Sequence, residues 1–87
     1  DAADYARVAS ARAILLSEQG PADKALAVLV RQMQQSKNEV VRHYAACALE
    51  DIGEKARGVL DAVKKAQSDK YEYVKRVTNR IVAKLDA

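Results

Sequence analysis

The sequence predicts an all-α protein, an α-solenoid in which about five helices form antiparallel pairs and give about two and a half repeats. Apolar residues recur at the spacing of one helical face along most of the chain. The 3 Gly and 1 Pro are fewer than the turns of an all-β fold require. The chain is also similar to itself when shifted by one helix pair, which is typical of a repeat protein.

The first two predicted helices meet at Gly20 and Pro21, because Gly suits a helix end and Pro cannot continue one. The first helix is predicted over residues 3–17. The second is predicted to begin after Asp23, which suits the N-cap position. Its apolar residues follow the i, i+3, i+4, i+7 spacing of one helical face: Leu26, Leu29, Val30 and Met33.

Three more helices are predicted in the rest of the chain. The third starts near Glu39 and is closed by Gly53, the fourth covers residues 58–67, and the fifth covers residues 72–85. All connections are short, so neighbouring helices are predicted to be antiparallel. The predicted core takes aliphatic residues from the second helix onward: Leu26, Leu29, Val30, Val41, Ala45, Ala48, Leu49, Val63, Val74, Ile81 and Leu85.

An internal repeat connects these helices. A shift that places Leu26 on Val59 also places Val41 on Val74, so that apolar residues match apolar residues and turns match turns. A slightly longer shift places Ala6 on Val41 and aligns the first helix with the third. One helix pair cannot bury its apolar face alone, so the pairs are expected to stack. We therefore expect residues 1–87 to form a single repeat domain.

The third helix carries a recognisable pattern. It reads Val41-Arg42, two residues, Ala45-Ala46, one residue, and Ala48-Leu49. This pattern resembles the second helix of a HEAT repeat, and Val74-Lys75 matches its start in the fifth helix. Members of that family often place an Asp five residues before the Val, where this chain has Asp69. The resemblance implies an inter-repeat contact between Asp69 and Arg42.

A narrower resemblance covers most of residues 4–85. Residues 22–29, 44–57 and 73–80 are similar to the HEAT-type extensions at the C-terminus of some bacterial secreted sulfatases. This implies an accessory module of a larger, sulfatase-type enzyme, located in the periplasm or outside the cell. The chain starts at Asp1 without Met, so we expect it to be part of a longer protein. Sulfatases use a modified Cys or Ser within Cys/Ser-x-Pro-x-Arg, and the residues after Cys47 do not match that motif.

Basic residues concentrate from Lys64 to Lys84, a stretch that includes most of the last predicted helix. The net charge is +3 and 31% of residues are charged, which is an ordinary surface rather than that of a dedicated nucleic-acid binder. By the HEAT resemblance, second helices line a concave surface. The predicted interaction face is therefore Lys75, Arg76, Arg80 and Lys84. It fits an acidic partner protein or domain, a polyanion, or a solvated surface with cations near a helix C-terminus.

Two further groups of residues have competing interpretations. His43, Cys47 and Asp51 lie at i, i+4, i+8, but a Cys–His nucleophile or a zinc site would need ligands and orienting groups that the chain lacks. We therefore predict that Cys47 is a packing residue and that His43 lies near the surface. The four tyrosines are predicted to cover helix ends, with a recognition strip as the alternative: Tyr5, Tyr44, Tyr71 and Tyr73.

The sequence thus predicts a scaffold rather than an enzyme. No catalytic, cofactor-binding or metal-binding residues are assigned, and no apolar run is long enough to span a membrane. The leading hypothesis is a helical-repeat module that mediates protein or interdomain interaction. The expected partner is another domain of the same polypeptide or a separate protein, rather than a nucleic acid. The alternatives are a free-standing protein-binding adaptor and a module that binds nucleic acid or a sulfated glycan.

Overall fold

The structure is a computed structural model that describes residues 2–86, and over these residues it is all-α without any strand. A short 3-10 helix lies between the third and fourth α-helices. The elements are α1 (Ala2–Ser17), α2 (Ala22–Gln35), α3 (Glu39–Asp51), the 3-10 helix (Gly53–Val59), α4 (Leu60–Ala66) and α5 (Glu72–Leu85). The prediction of an all-α protein with five α-helices is therefore confirmed.

Two helix boundaries show the local chemistry. Gly53 follows α3 with φ of +61°, a left-handed conformation that glycine adopts without a Cβ clash. Asp23 was predicted as the N-cap of α2, but the helix starts at Ala22 and Pro21 occupies the cap, with its carbonyl accepting from the Ala25 N–H at 3.1 Å. Asp23 instead lies in the first turn, where its charge favours the helix dipole.

The fourth helix is shorter than the predicted residues 58–67. Val59 has φ of −122° and ψ of 24°, outside the helical region, so the α-helical hydrogen bonding begins only at Leu60. The preceding 3-10 segment has its own role, because two of its cations reach helix C-termini. Lys55 donates to the carbonyl of Leu15 in α1, and Arg57 donates to the carbonyl of Leu85 in α5. Both bonds satisfy carbonyls that a helix end leaves without a partner.

The helices pack in two layers. One layer contains α1, α3 and α5, in which α3 contacts both neighbours, and the other contains α2 and α4, which also contact each other. Each helix of the second layer packs on the helix that follows it, α2 on α3 and α4 on α5. The molecule measures 33 × 30 × 15 Å. Two helices with axes 8–10 Å apart occupy roughly 15 Å between outer Cα atoms, so the short dimension fits two layers.

The core lies between the layers and consists mainly of small and medium aliphatic side chains. Leu29, Val41, Leu49, Val63 and Val74 are fully buried, as predicted. Ala45, Ala48, Ile81 and Leu85, also predicted, are buried too. Thr78 joins the core because its hydroxyl donates to the Val74 carbonyl at 2.8 Å, which satisfies the buried polar group.

The predicted burial of Leu26 and Val30 is wrong, since both are only half-buried. The buried line of α2 runs through Ala25, Leu29 and Met33 instead. These three follow a spacing of four residues, and Leu26 and Val30 are each one position further along the chain. One position rotates the side chain by roughly 100° around the helix, which moves both residues to the margin of the buried stripe.

Candidate interaction surface

The candidate surface is the exposed face of the layer formed by α1, α3 and α5, which we call the three-helix face. The contacts between these helices advance in the same direction. Tyr5 contacts Tyr44 near one end, and Arg12 bonds Asp51 near the other. Between α3 and α5, His43 contacts Tyr73 and Glu50 bonds Arg80 in the same order. The three helices are therefore parallel, with their N-terminal halves at one edge.

Aromatic side chains occupy the N-terminal edge of this face, and we call this group the aromatic strip. The ring centroids of Tyr5 and Tyr44 lie 5.7 Å apart. His43 lies 5.6 Å from Tyr73 and 6.2 Å from Tyr71, and the two tyrosines are 5.3 Å apart. These separations are within the range of favourable aromatic pairs. The strip thus joins α3 to α1 on one side and to α5 on the other.

Part of this strip is open to solvent. Tyr73 is 51% exposed, and Val40, at the start of α3, is 46% exposed. The guanidinium of Arg76 lies 5.5 Å from the centroid of the Tyr73 ring, a cation–π distance. Tyrosine and arginine are the residue types that contribute most to binding at protein interfaces, together with tryptophan. The strip therefore combines exposed apolar area with groups that can donate hydrogen bonds.

Ion pairs occupy the C-terminal half of the three-helix face. Arg12 of α1 donates to Asp51 at 3.0 Å, and Arg80 of α5 donates to both oxygens of Glu50 at 2.8 and 2.9 Å. The hydrogen bond from Arg80 lowers the pKa of Glu50, and the charge of Lys84 acts in the same direction. The carboxylates of α3 thus receive a guanidinium from each neighbouring helix.

The predicted basic face is divided by this arrangement. Arg80 is paired with Glu50, and Arg76 lies 3.4 Å from Glu72 on its own helix. Lys75 is half-buried and close enough to Asp69 to lower the pKa of that carboxyl. Lys84 is exposed near Glu50. Lys75 therefore lies on a different side of α5 from the other three residues, and most of their positive charge is balanced.

Arg42 and Asp69, the pair implied by the family resemblance, are in direct contact. Arg42 donates to the two oxygens of Asp69 at 2.8 and 3.1 Å, and the Tyr71 N–H donates to the same carboxylate at 2.8 Å. Their side chains are only 17% and 10% exposed. Burial by itself would raise the pKa of Asp69, but the bonds from Arg42 and Tyr71 outweigh it and lower that pKa. The bond from Asp69 in turn raises the pKa of Arg42.

His43 and Cys47 are adjacent, with Nε2 and Sγ 3.4 Å apart. Burial raises the pKa of the Cys47 thiol, and the charges of Glu50 and Asp51 raise it further. A nucleophilic or metal-binding cysteine needs a lowered pKa, since the thiolate is the reactive form. Asp51 is directed to Arg12 instead of the His–Cys pair. No group of three His, Cys, Asp or Glu residues in the described part of the chain could hold a metal ion.

Sequence reasoning missed the roles of Glu50 and Asp51, which it left without a function. The internal repeat contains the signal that could have found them. The shifts that align the helices place Arg12, Cys47 and Arg80 at equivalent positions. Two arginines therefore flank α3 at the level of Cys47, where a neighbouring acidic pair would neutralise both.

Neither the family models, nor the curated proteins, nor the solved structures compared with this chain give a match. Within residues 2–86, no helix is both long enough and apolar enough to cross a membrane.

Proposed function

We propose that this chain is a non-catalytic, HEAT-like repeat scaffold whose three-helix face binds another protein or another domain of its own polypeptide. The observation that carries the proposal is the aromatic strip, because it exposes Tyr73 beside Arg76 on α5 and joins Tyr73 to His43 of the adjoining helix α3. Exposed apolar residues that stand singly need no explanation, whereas a contiguous group rimmed by polar residues is typical of a binding site.

The packing supports the solenoid part of the proposal. Parallel second helices in one layer and first helices in the other are what stacking of helix pairs would produce. The Arg42–Asp69 pair links α3 to the turn before α5, and so connects the two complete pairs of the repeat. In a stacked array the three-helix face would be continuous across repeats, which suits a long segment of a partner.

The resemblance to sulfatase extensions suggests one setting for this scaffold. There the chain would be an accessory module, and its partner would be the catalytic domain of the same polypeptide. The raised pKa of Cys47 and the missing sulfatase motif agree with a module that leaves the chemistry to that domain. Replacing Cys47 with Ala should then leave the activity of the longer enzyme unchanged.

The charge balance favours protein binding over polyanion binding. A polyanion site needs cations that are free to neutralise phosphates or sulfates. Here Arg76 and Arg80 already have carboxylate partners, and Lys75 lies toward Asp69. Binding a polyanion would require these pairs to open, which removes much of the electrostatic gain.

The experiment selects peptides from a displayed random library on the folded chain and measures their affinity by fluorescence titration. Selected peptides should lose about tenfold or more in affinity with Tyr73→Ala, the expected effect of removing a central contact. The matched control is Lys65→Ala, an exposed change on α4 in the other layer.

Titration with heparin and DNA at about 50 and 200 mM salt is the second arm. We expect no tight binding at the lower salt. Binding that is tight, salt-sensitive and abolished by Arg76→Glu with Arg80→Glu would favour the polyanion alternative. Failure to select any peptide that depends on Tyr73 would contradict the proposed face.

A further inference from the structure

A second apolar surface lies at the α1 end of the molecule, and no residue of the aromatic strip lines it. It is a groove between α1 and α2 with a volume of about 350 Å³. Its floor is lined by small and aliphatic side chains: Ala6, Ser10, Ile14, Pro21, Ala25 and Val28. Arg7 and Lys24 stand at its rim. We call this surface the end groove.

The internal repeat indicates that the end groove is an uncovered packing face. The shift that aligns α1 with α3 places Ala6, Ser10 and Ile14 on Val41, Ala45 and Leu49. Those three residues of α3 are all 0% exposed. In α1, by contrast, Ala6 and Ser10 are exposed and Ile14 is half-buried. The same face is therefore a core face in α3 and an open face in α1.

The comparison with α5 shows what covers this face elsewhere. In α5 the equivalents of Val41, Ala45 and Leu49 are Val74, Thr78 and Val82. Val74 and Thr78 are fully buried, and Val82 is half-buried, as Ile14 is in α1. The helix that precedes each covered face packs on it, α2 on α3 and α4 on α5. No helix among residues 2–86 packs on the corresponding face of α1 in this way. The molecule thus contains two examples of the element that fits the end groove, and both are helical.

Charge at the rim restricts the chemistry of the occupant. Arg7, Lys24 and Arg31 surround the groove and the cavity beside it. Arg7 is paired with Asp4 at 2.8 Å. Lys24 and Arg31 make no ion pair with any residue that the structure describes. An occupant with acidic side chains beside its apolar stripe would neutralise both cations.

From the uncovered face, the two helical precedents and the basic rim, we propose that the end groove binds an amphipathic helix of a partner protein. That helix lies on α1 as α2 lies on α3. It presents a stripe of small and aliphatic residues to the groove and carries Glu or Asp along the margins of the stripe. This is the helix-in-groove mode of recognition, in which residues at i, i+3, i+4 and i+7 make the contacts.

The test uses a defined probe, a lactam-bridged helical peptide with the 14-residue length of α2, an Ala/Leu stripe and flanking Glu residues. Fluorescence anisotropy measures its binding to the full chain. We expect a Kd on the order of 10–100 μM, and about tenfold weaker binding to Ala6→Glu. Ala83→Glu is the matched control, since Ala83 is an exposed alanine on α5 at the opposite end. A peptide with Lys in place of Glu should also bind more weakly.

Several results would overturn the proposal. One is the absence of binding at about 1 mM peptide. Another is an equal loss of peptide affinity in Ala6→Glu and Ala83→Glu. A third is equal affinity of the chain for the acidic and the basic peptide. Sedimentation without peptide supplies another: self-association that Ala6→Glu abolishes would assign the groove to a second copy of the chain. Tyr73→Ala should not change the affinity for this peptide. The peptide experiment therefore tests the end groove separately from the function proposed for the aromatic strip.

Discussion

The two ends of the molecule differ in a way that the repeat makes directly comparable. At the α5 end, Arg76, Asn79 and Ala83 point outward, and all three are exposed. Arg76 pairs with Glu72, and Asn79 accepts a hydrogen bond from Gln67 at 2.9 Å. At the α1 end, the open face is the end groove, which is apolar at its centre. In repeat proteins a polar outer face is typical of a capping repeat, and the α5 end has this character more than the α1 end does.

Positions that are equivalent in the repeat carry different residues at the two ends. The shifts that align the helices place Val8, Ala11 and Leu15 of α1 on Arg76, Asn79 and Ala83 of α5. In α1 these residues are buried against the following helices. Arg76, Asn79 and Ala83 thus lie on a side of α5 that no helix of residues 2–86 covers, whereas the open side of α1 carries Ala6, Ser10 and Ile14. This difference supports our proposal that the end groove at the α1 end binds a partner helix.

The largest expected effect is a difference in stability loss between a substitution on the covered face of α3 and one on the equivalent open face of α1. Leu49→Ala should lower the free energy of unfolding by about 3 kcal/mol, because it leaves a cavity in the core. Ile14→Ala, at the equivalent position of α1, should cost only about 1 kcal/mol, since less apolar area is buried there. Urea unfolding followed by circular dichroism measures both. Equal losses would mean that the α1 face is packed as well as that of α3.

The second effect concerns the junction between the helix pairs. Asp69→Asn should cost about 1–3 kcal/mol at neutral pH, because it leaves the partly buried Arg42 without its charged partner. Urea titration of both proteins gives the difference in free energy of unfolding. A change that costs nothing would show that the Tyr71 N–H and water satisfy this turn without the ion pair.

The same variant predicts a dependence on pH. The pKa of Asp69 is lowered in the folded state, so its contribution to stability is complete above its unfolded pKa of about 4. That contribution is lost as the pH falls through the lower, folded pKa. The stability difference between the wild type and Asp69→Asn should therefore be constant from about pH 5 to 8 and shrink in acid. A difference that grows below pH 4 would reverse the sign and contradict the assignment.

A smaller effect concerns the turn between α2 and α3, which is the repeat equivalent of the turn between α4 and α5. It tests whether an ion pair like that of Arg42 and Asp69 can be introduced there. Ser36 is the repeat equivalent of Asp69, and its hydroxyl accepts from the Asn38 N–H at 3.2 Å, as Asp69 accepts from Tyr71. Ser36→Asp would offer a carboxylate to Arg7, the equivalent of Arg42, and should stabilise the fold by 0 to about 1 kcal/mol. Ser36→Asn controls for the turn alone. If the aspartate destabilises more than the asparagine, the two junctions differ in geometry.

The smallest effect compares the two ends directly. Ala6→Glu and Ala83→Glu should each change the free energy of unfolding by less than about 0.5 kcal/mol, because both alanines are exposed. Thermal unfolding monitored by circular dichroism is the measurement. A large loss for Ala6→Glu alone would mean that the end groove already contributes to the core, and that its binding test needs the milder change Ala6→Ser.

Sequence reasoning predicted most of the helices to within a residue or two, since their apolar spacing and the Gly20-Pro21 and Gly53 breaks are local signals. It did not predict the 3-10 segment, because Lys55 and Arg57 act on the ends of α1 and α5, which are distant in the chain. It also placed Lys75 on the same face as Arg76. Residues next to each other in a helix point roughly 100° apart, so only one of them can share a face with Arg80.

The sequence by itself determined the helical class and the internal repeat, because both depend on spacing along the chain. The contact between Arg42 and Asp69 was implied by the family resemblance. Only the tertiary structure decided which faces are covered. Ala6 and Val41 occupy equivalent positions in the sequence, yet one is exposed and the other is fully buried. Burial depends on whether another helix occupies the neighbouring position, and a local apolar pattern contains no information on that. For the same reason the sequence did not predict the ion pairs of Arg12 and Arg80, whose charges are balanced by carboxylates on the neighbouring helix α3.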